Sequence, residues 1–274
     1  MSDEVENAVA RHYQVSDLTK RILDGLAATG VDIARLTPGD LAPVDEFHIG
    51  GRSATLHVIA KMGLSPADHV LDIGCGIGGA ARTVATTIGA RVTGIDLTEE
   101  FVEAAREFSA RMGLGDRVAF HAGSALDMPF ADGAFDAALT LHVAMNIKDR
   151  AGLYREVARV LKPGAVFAIY DVMQGPNGGL QFPVPWAATP ATSFLVTPDA
   201  MRTLLADAGF SIVEIEDRTE SGIAFFRERL AAGPPPAVGL HLLTGSDTRV
   251  KSGNMLAGLE AGAIAPVILI ARRA

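Results

Sequence analysis

Residues 70–79 read VLDIGCGIGG, a short strand-like run that opens into glycines at 74, 76, 78 and 79. Glycine is poor inside helices and strands, and favoured where the backbone turns tightly or meets another group closely. The next residues, 78–88, carry a helical pattern. The segment therefore predicts a strand, a glycine turn and a helix, the opening of a βαβ unit. Backbone N–H groups at such a turn, together with the helix N-terminus, form a natural ligand cradle.

The rhythm continues along the chain. His69–Gly74 reads as the first strand, Arg91–Asp96 as the second, Val118–Gly123 as the third, Phe135–Leu141 as the fourth and Val166–Val172 as the fifth. Helices are expected over 78–88, over 99–112 with Thr98 as its cap and Glu99 and Glu100 in its first turn, and from Asp149 to near Leu161. Lys162-Pro163-Gly164 stops the last of these. Short apolar strands alternating with such helices imply a parallel, Rossmann-like α/β sheet covered on both faces.

The flanks differ. Residues 1–60 read as an amphipathic helical cap, with Val15, Leu18, Ile22, Leu23 and Leu26 at helical spacing. Thr37-Pro38-Gly39-Asp40 and Pro43 interrupt it, and a second helix runs from near Arg52 to Gly63. Residues 61–274 are expected to form the main domain. Within them, 174–196 carries four prolines, three glycines and the only Trp, and reads as a long loop over the site. A helix at 198–208, a strand at 210–216 and a helix at 222–231 follow. GPPP at 233–236 cannot continue a helix. A Gly-containing helical stretch leads to a final strand, Pro266–Ala271.

Composition narrows the function. Hydrophobic residues make up 49% and charged residues 20%, which suits a large core. A net charge of -8 repels a phosphate backbone, and aromatics at 6% offer few stacking platforms, so no nucleic-acid partner is expected. Cys75 is the sole cysteine, which excludes an intrachain disulfide and a multi-cysteine zinc site. His12, His57, His69 and His121 show no metal-ligand pairing, so no metal is expected. The opening, MSDEVENAVARHY, lacks a signal-peptide pattern, and no apolar run is long enough to span a membrane; a cytoplasmic protein is expected. Oligomeric state is not set by any of these features.

The glycine turn alone admits more than one ligand. Gly74-x-Gly76-x-x-Gly79 also fits a dinucleotide pattern. Asp96, 22 residues after Gly74, ends the second strand, where a carboxylate can accept both ribose hydroxyls. Asp72 weighs against a dinucleotide, because a pyrophosphate gains nothing from a nearby anion. S-adenosylmethionine (SAM) carries a sulfonium and an ammonium, and a carboxylate suits both.

DIGCGIGG, GIDLT, GSALDMPFADGAFD and EVARVLKPG, in this order and spacing, resemble the class I SAM-dependent methyltransferases. More narrowly they resemble the small-molecule branch that includes ubiquinone/menaquinone-type, sarcosine-type and natural-product enzymes. The motifs cover roughly residues 47–175. The resemblance implies a seven-stranded sheet whose last strand is antiparallel. It implies that Gly74, Gly76 and Gly78 lie under the methionine portion of SAM, with Asp72 orienting it. Asp96 would hold the ribose, Leu97 pack on the adenine, and Ser124 and Ala125 flank its edge with Leu126 nearby. The backbone at Leu141 would face the amino-acid end. Relatives often carry an acid at the Ser124 position; Asp127 is a substitute or a simple turn cap.

The small-molecule acceptor is expected beyond the fourth strand, near LHVAMNIKD. Several relatives place a basic histidine where this chain has Asn146, which can position an acceptor but not deprotonate it. His142 and His48 are the candidate bases, each set against a packing role. Asp171, at the end of the fifth strand, is a third catalytic candidate. Phe182, Trp186 and Phe194 in the long loop are candidates for an apolar acceptor wall, with His241 and Met255 as weaker ones, and Tyr13 for closing over SAM. Cys75 reads as a packing residue. Two other functions remain open at this stage: an NAD(P)-dependent oxidoreductase, and a SAM-binding protein without transfer activity, such as a cyclase helper.

Overall fold

The computed structural model describes residues 2–233 and 236–274. Pro234 and Pro235, within the expected helix stop, lie outside the described residues. Four helices come first: α1 (Ser2–Tyr13), α2 (Leu18–Ala28), α3 (Pro38–Asp45) and α4 (Gly51–Met62). Then follow β1 (His69–Ile73), α5 (Gly79–Thr87), β2 (Arg91–Asp96), α6 (Glu99–Arg111), β3 (Val118–Ala122), β4 (Phe135–Leu141), α7 (Arg150–Val160) and β5 (Leu161–Gln174). The chain closes with α8 (Pro198–Asp207), β6 (Phe210–Asp217), α9 (Thr219–Ala231), α10 (His241–Thr244), α11 (Thr248–Glu260) and β7 (Ile264–Arg273).

The strands form one seven-stranded sheet in the order β3-β2-β1-β4-β5-β7-β6. β1 pairs in parallel with β2 and β4, and β7 runs antiparallel to both β5 and β6. The order reverses between β1 and β4, and in open α/β sheets ligands bind at the carboxyl ends beside such a reversal. Alternation along β5 divides its side chains. Val166, Ala168, Tyr170 and Val172 join one apolar core, with α4 and α5 residues, while Phe167, Ile169 and Met173 join the core on the α7 and α8 side. A third core, from Leu18, Ile22, Leu41, Phe101 and Phe108 among others, fastens α2 and α3 to α6.

Four details differ from the sequence reading. Thr37-Pro38-Gly39-Asp40 begins a helix rather than interrupting one. Pro38 occupies the first helical position, where a missing N–H costs nothing, and Asp40 Oδ2 accepts from Thr37 N at 2.7 Å and Thr37 Oγ1 at 2.6 Å. Lys162-Pro163-Gly164 does end α7, but the chain continues at once as a bulged strand, so β5 starts at Leu161. Thr98 takes the position before α6, yet its hydroxyl makes no capping bond; its N–H instead donates to Asp96 Oδ1 at 2.9 Å. The helix after β6 starts at Thr219, three residues early, its entry set by Asp217 accepting from Thr219 N at 2.7 Å.

Candidate active site

The glycine turn is tied to β2 by Gly74 N and Cys75 N, which both donate to Ile95 O, at 2.8 and 3.1 Å. Two glycines serve different ends. Gly74 has φ +71, and a Cβ there would fall 2.3 Å from Val143 Cγ2, so the turn is packed shut on that side. Gly76 has φ +53, and a Cβ there would meet nothing within 4 Å. The backbone at Gly76 therefore faces open space. Gly76 N donates to Asp96 Oδ2 at 2.8 Å, so the acid at the end of β2 braces the turn as well as facing the opening.

That opening is a cavity of about 530 Å³ at the carboxyl ends of β1, β2 and β4. Asp72, Gly74, Gly76, Asp96, Leu97, Ala125 and Leu141 line it, as do Asn146, His48 and His142. Gly78 and Ser124 are not among the lining residues. A second, smaller cavity of about 50 Å³ shares Tyr13, Phe47, His48 and His142 with the first, and adds Trp186, Phe226 and Met255. Phe182 and Phe194 line neither cavity, nor does His241. Asp171 lines neither one because the β5 alternation turns it toward α7. There it is 1% exposed and faces Arg150 Nη1 at 3.4 Å, with burial pushing its carboxyl up to about 6 against the pull of that guanidinium. Cys75 is buried, and its thiol is raised well above the ordinary range by burial, then by Asp96 and Asp72, which suits a packing residue.

The electrostatics favour a cationic guest. Asp72 is 2% exposed, and its Oδ2 has no hydrogen-bond partner. Burial, with Glu46 and Asp96 nearby, pushes this carboxyl up to about 8. Asp96 is also raised by burial, against hydrogen bonds from Thr98 and Gly76. An orphaned acid oxygen, a second acid and an open glycine backbone around one cavity fit a sulfonium nucleoside bearing an amino-acid tail. The same acids oppose a pyrophosphate. Among the described residues no cluster of His, Cys, Asp or Glu could hold a metal ion.

The two candidate bases are differently placed. His48 Nε2 meets Glu46 Oε2 at 3.0 Å and Thr55 Oγ1 at 2.9 Å, all buried. Burial raises Glu46, but bonds from His48, Thr55 and Thr83 outweigh it and hold that carboxyl below the usual range. His142 follows β4 with φ +56, a left-handed conformation uncommon for non-glycine residues and often found at functional sites. Its ring centroid lies 4.7 Å from Tyr170 and 5.9 Å from His48, and its Nε2 is covered and unpartnered. Burial, then the nearby His48, lowers its basicity well below that of an ordinary histidine.

From α1 the sequence singles out only Tyr13 as facing the cofactor. Val5, Glu6, Val9 and Tyr13 of that helix all line the large cavity. Their spacing was a visible signal, since 5, 9 and 13 share one helical face. Asp45 was missed too. It pairs with the fully buried Arg82, which also donates to Ile77 O at 2.7 Å and Ser109 Oγ at 3.1 Å, so one guanidinium joins α3, α5 and α6.

A seven-stranded sheet with an antiparallel β7, opening at β1 and β4 onto an acid-edged glycine cradle, defines a Rossmann-like domain for an S-adenosyl nucleoside. The chain belongs to the class I SAM-dependent methyltransferases: the family model described as "Methyltransferase domain" matches residues 71–169. Over 188 residues it is 33% identical to the O-methyltransferase cnsE of Penicillium expansum, covering 66% of each chain. Over 116 residues it is 39% identical to sterol 24-C-methyltransferase ERG6B of Gibberella zeae. That match covers 42% of this chain, and the chain spans only 30% of that relative's length. In three dimensions it is similar to geranyl diphosphate C-methyltransferase from Streptomyces coelicolor A3(2), with a TM-score of 0.72, 19% identity and 98% of each chain covered, a likeness of fold. No helix among the described residues is long and apolar enough to cross a membrane.

Proposed function

We propose that this protein transfers a methyl group from SAM to a small apolar or amphipathic acceptor. The observation that carries this reading is the joining of two cavities at one wall. The larger has the acids and open glycine that suit the cofactor, and the smaller is lined by Trp186, Phe226 and Met255. His48 and His142 belong to both. A bound SAM supplies an electrophilic methyl carbon on a sulfonium.

The chain's own residues then have distinct tasks. Gly76 leaves room at the cradle, Asp72 faces the cationic portion and Asp96 holds the ribose. His142, with a neutral ring and a free Nε2, accepts a proton where the acceptor must lose one. His48, held by Glu46 and Thr55, packs beside it and positions the ring. Asn146 orders the loop over the acceptor. Residues 1–60 act as a cap and 174–196 as a lid, and the exclusion of water together with alignment supplies most of the rate. The relatives' names span C- and O-methylation, and both suit an apolar wall. A lone, buried thiol suits the cytoplasm.

Incubation with methyl-labelled SAM and an organic extract of small metabolites tests the reading. Label in a new extractable compound supports it. Calorimetric binding of S-adenosylhomocysteine (SAH) with no label transferred would leave a cofactor-binding protein without transfer activity. Binding of NADH in place of SAH would overturn the cofactor itself.

A further inference from the structure

The sequence reading assigns the adenine edge to Ser124, but the hydrogen bonds around that hydroxyl are already committed. Ser124 Oγ donates to Glu6 Oε1 and accepts from Leu126 N at 3.0 Å. A hydroxyl has one proton to give, and Ser124 gives it to Glu6. Glu6 belongs to α1, 118 residues away in sequence, and is one of the residues that line the large cavity. Among the described residues no Lys, Arg or His pairs with it, and its one hydrogen bond there is the Oε1 bond from Ser124.

The order of groups along the cavity says what this acid faces. Gly76 forms the cradle, and Asp96 at the end of β2 takes the ribose hydroxyls. The base then extends past Leu97 toward Gly123, Ala125 and Leu126, all of which line the same cavity. Glu6 is the carboxylate at that end. A 6-aminopurine presents an N–H₂ donor, and an ionised carboxylate is an acceptor only.

We propose that Glu6 accepts the hydrogen bond from the exocyclic amine of adenine, with Ser124 as the anchor that aims it. The proposal rests on the SAM reading above. It makes α1 part of the cofactor site: the helix contributes a specificity-determining acid at one end, while at the other His12 Nε2 meets Pro185 O at 3.1 Å and Tyr13 bonds Asn146 at 2.9 Å. The helix thus spans from the adenine end of the cavity to the acceptor loop.

The test compares SAH with its 6-deamino analogue, in which hydrogen replaces the amine, by calorimetry on the full chain. Wild-type protein is expected to prefer SAH by about 10-fold or more, as for a hydrogen bond to a charged group. In Glu6→Ala that preference falls to about twofold or less, because the analogue's affinity changes little while that of SAH drops. Glu6→Gln, which keeps a carbonyl acceptor, retains part of it. A structural role for Glu6 would weaken both ligands equally. A full preference in Glu6→Ala, or equal loss of both ligands, overturns the proposal while leaving SAM as cofactor. Failure of wild-type protein to bind SAH at all would overturn the underlying reading instead.

Discussion

The Tyr13 hydroxyl donates to Asn146 Oδ1 at 2.9 Å, and Asn146 Nδ2 donates in turn to Trp186 O at 2.9 Å and Thr192 O at 3.0 Å. One side-chain amide thus joins the first helix, the turn after β4 and the 174–196 segment. That amide serves as a clasp. Tyr13→Phe keeps the ring against Phe47 and Phe101 but deletes one bond of about 1 kcal/mol. Dissociation of SAH, followed by stopped flow, is expected to speed up about fivefold, with little change in melting temperature. Asn146→Ala leaves two loop carbonyls without a donor and should raise the acceptor KM more than it alters SAH affinity. An unchanged SAH off-rate in Tyr13→Phe would mean that α1 does not retain the cofactor.

Asp72 gives the cofactor site a pH signature. In the empty cavity burial keeps its carboxyl protonated up to about 8. A bound cation favours the ionised form, so binding near neutral pH must expel a proton, and affinity must rise with pH toward that value. Calorimetry at about pH 7, in buffers of differing ionisation enthalpy, should show proton release approaching one per SAM. Asp72→Asn should remove both the release and the pH slope. A slope that survives in Asp72→Asn would place the titrating group elsewhere.

Two glycines of the same turn should respond in opposite ways. At Gly76 an added methyl enters open space, and only its left-handed φ is strained, a cost of about 1–2 kcal/mol. Gly76→Ala should therefore fold, yet lose most SAH affinity because the methyl projects where the ligand approaches. At Gly74 the methyl would sit 2.3 Å from Val143 Cγ2 and 2.6 Å from its Cγ1, so backbone or side chain must move. Gly74→Ala should lose several kcal/mol of stability in chemical denaturation, part of it restored by Val143→Ala. If Gly76→Ala bound SAH normally, the open backbone would not be the cradle.

The sheet was legible because the first five strands are apolar runs that alternate with helical segments. Gly74, Gly76 and Asp96 meet at one cavity because their spacing follows from the βαβ geometry itself. Asp171 misled, since its position at a strand end suggests a ligand while its parity opposes Tyr170 and turns it to Arg150. α3 was hidden because Pro38 and Pro43 read as breakers, although proline at the first helical position is a start signal. Ser124 bonds Glu6 across 118 residues, a pairing that no local sequence pattern announces. Long-range pairings of this kind, like Tyr13 with Asn146, are products of packing, and helical periodicity alone shows only that α1 has a buried face.

His142 offers the sharpest separation of chemistry from packing. Its φ of +56 is tolerated by asparagine, so His142→Asn should fold with the same backbone while lacking a proton acceptor. Where the acceptor must lose a proton, turnover should fall by about 10²- to 10⁴-fold with SAH affinity nearly unchanged. The histidine's basicity is lowered by burial, so its neutral form persists well below the ordinary value of about 6.5. The acid limb of kcat/KM should therefore lie below that value in the wild type and vanish in the variant. Stability should carry the same signature. Between the depressed folded value and about 6.5 the unfolded chain binds a proton that the folded chain refuses, so stability falls as pH drops through that window. His142→Asn should flatten that decline. A variant that keeps wild-type turnover and the same acid limb would show that alignment alone drives the transfer and that His142 only fills the wall between the two cavities.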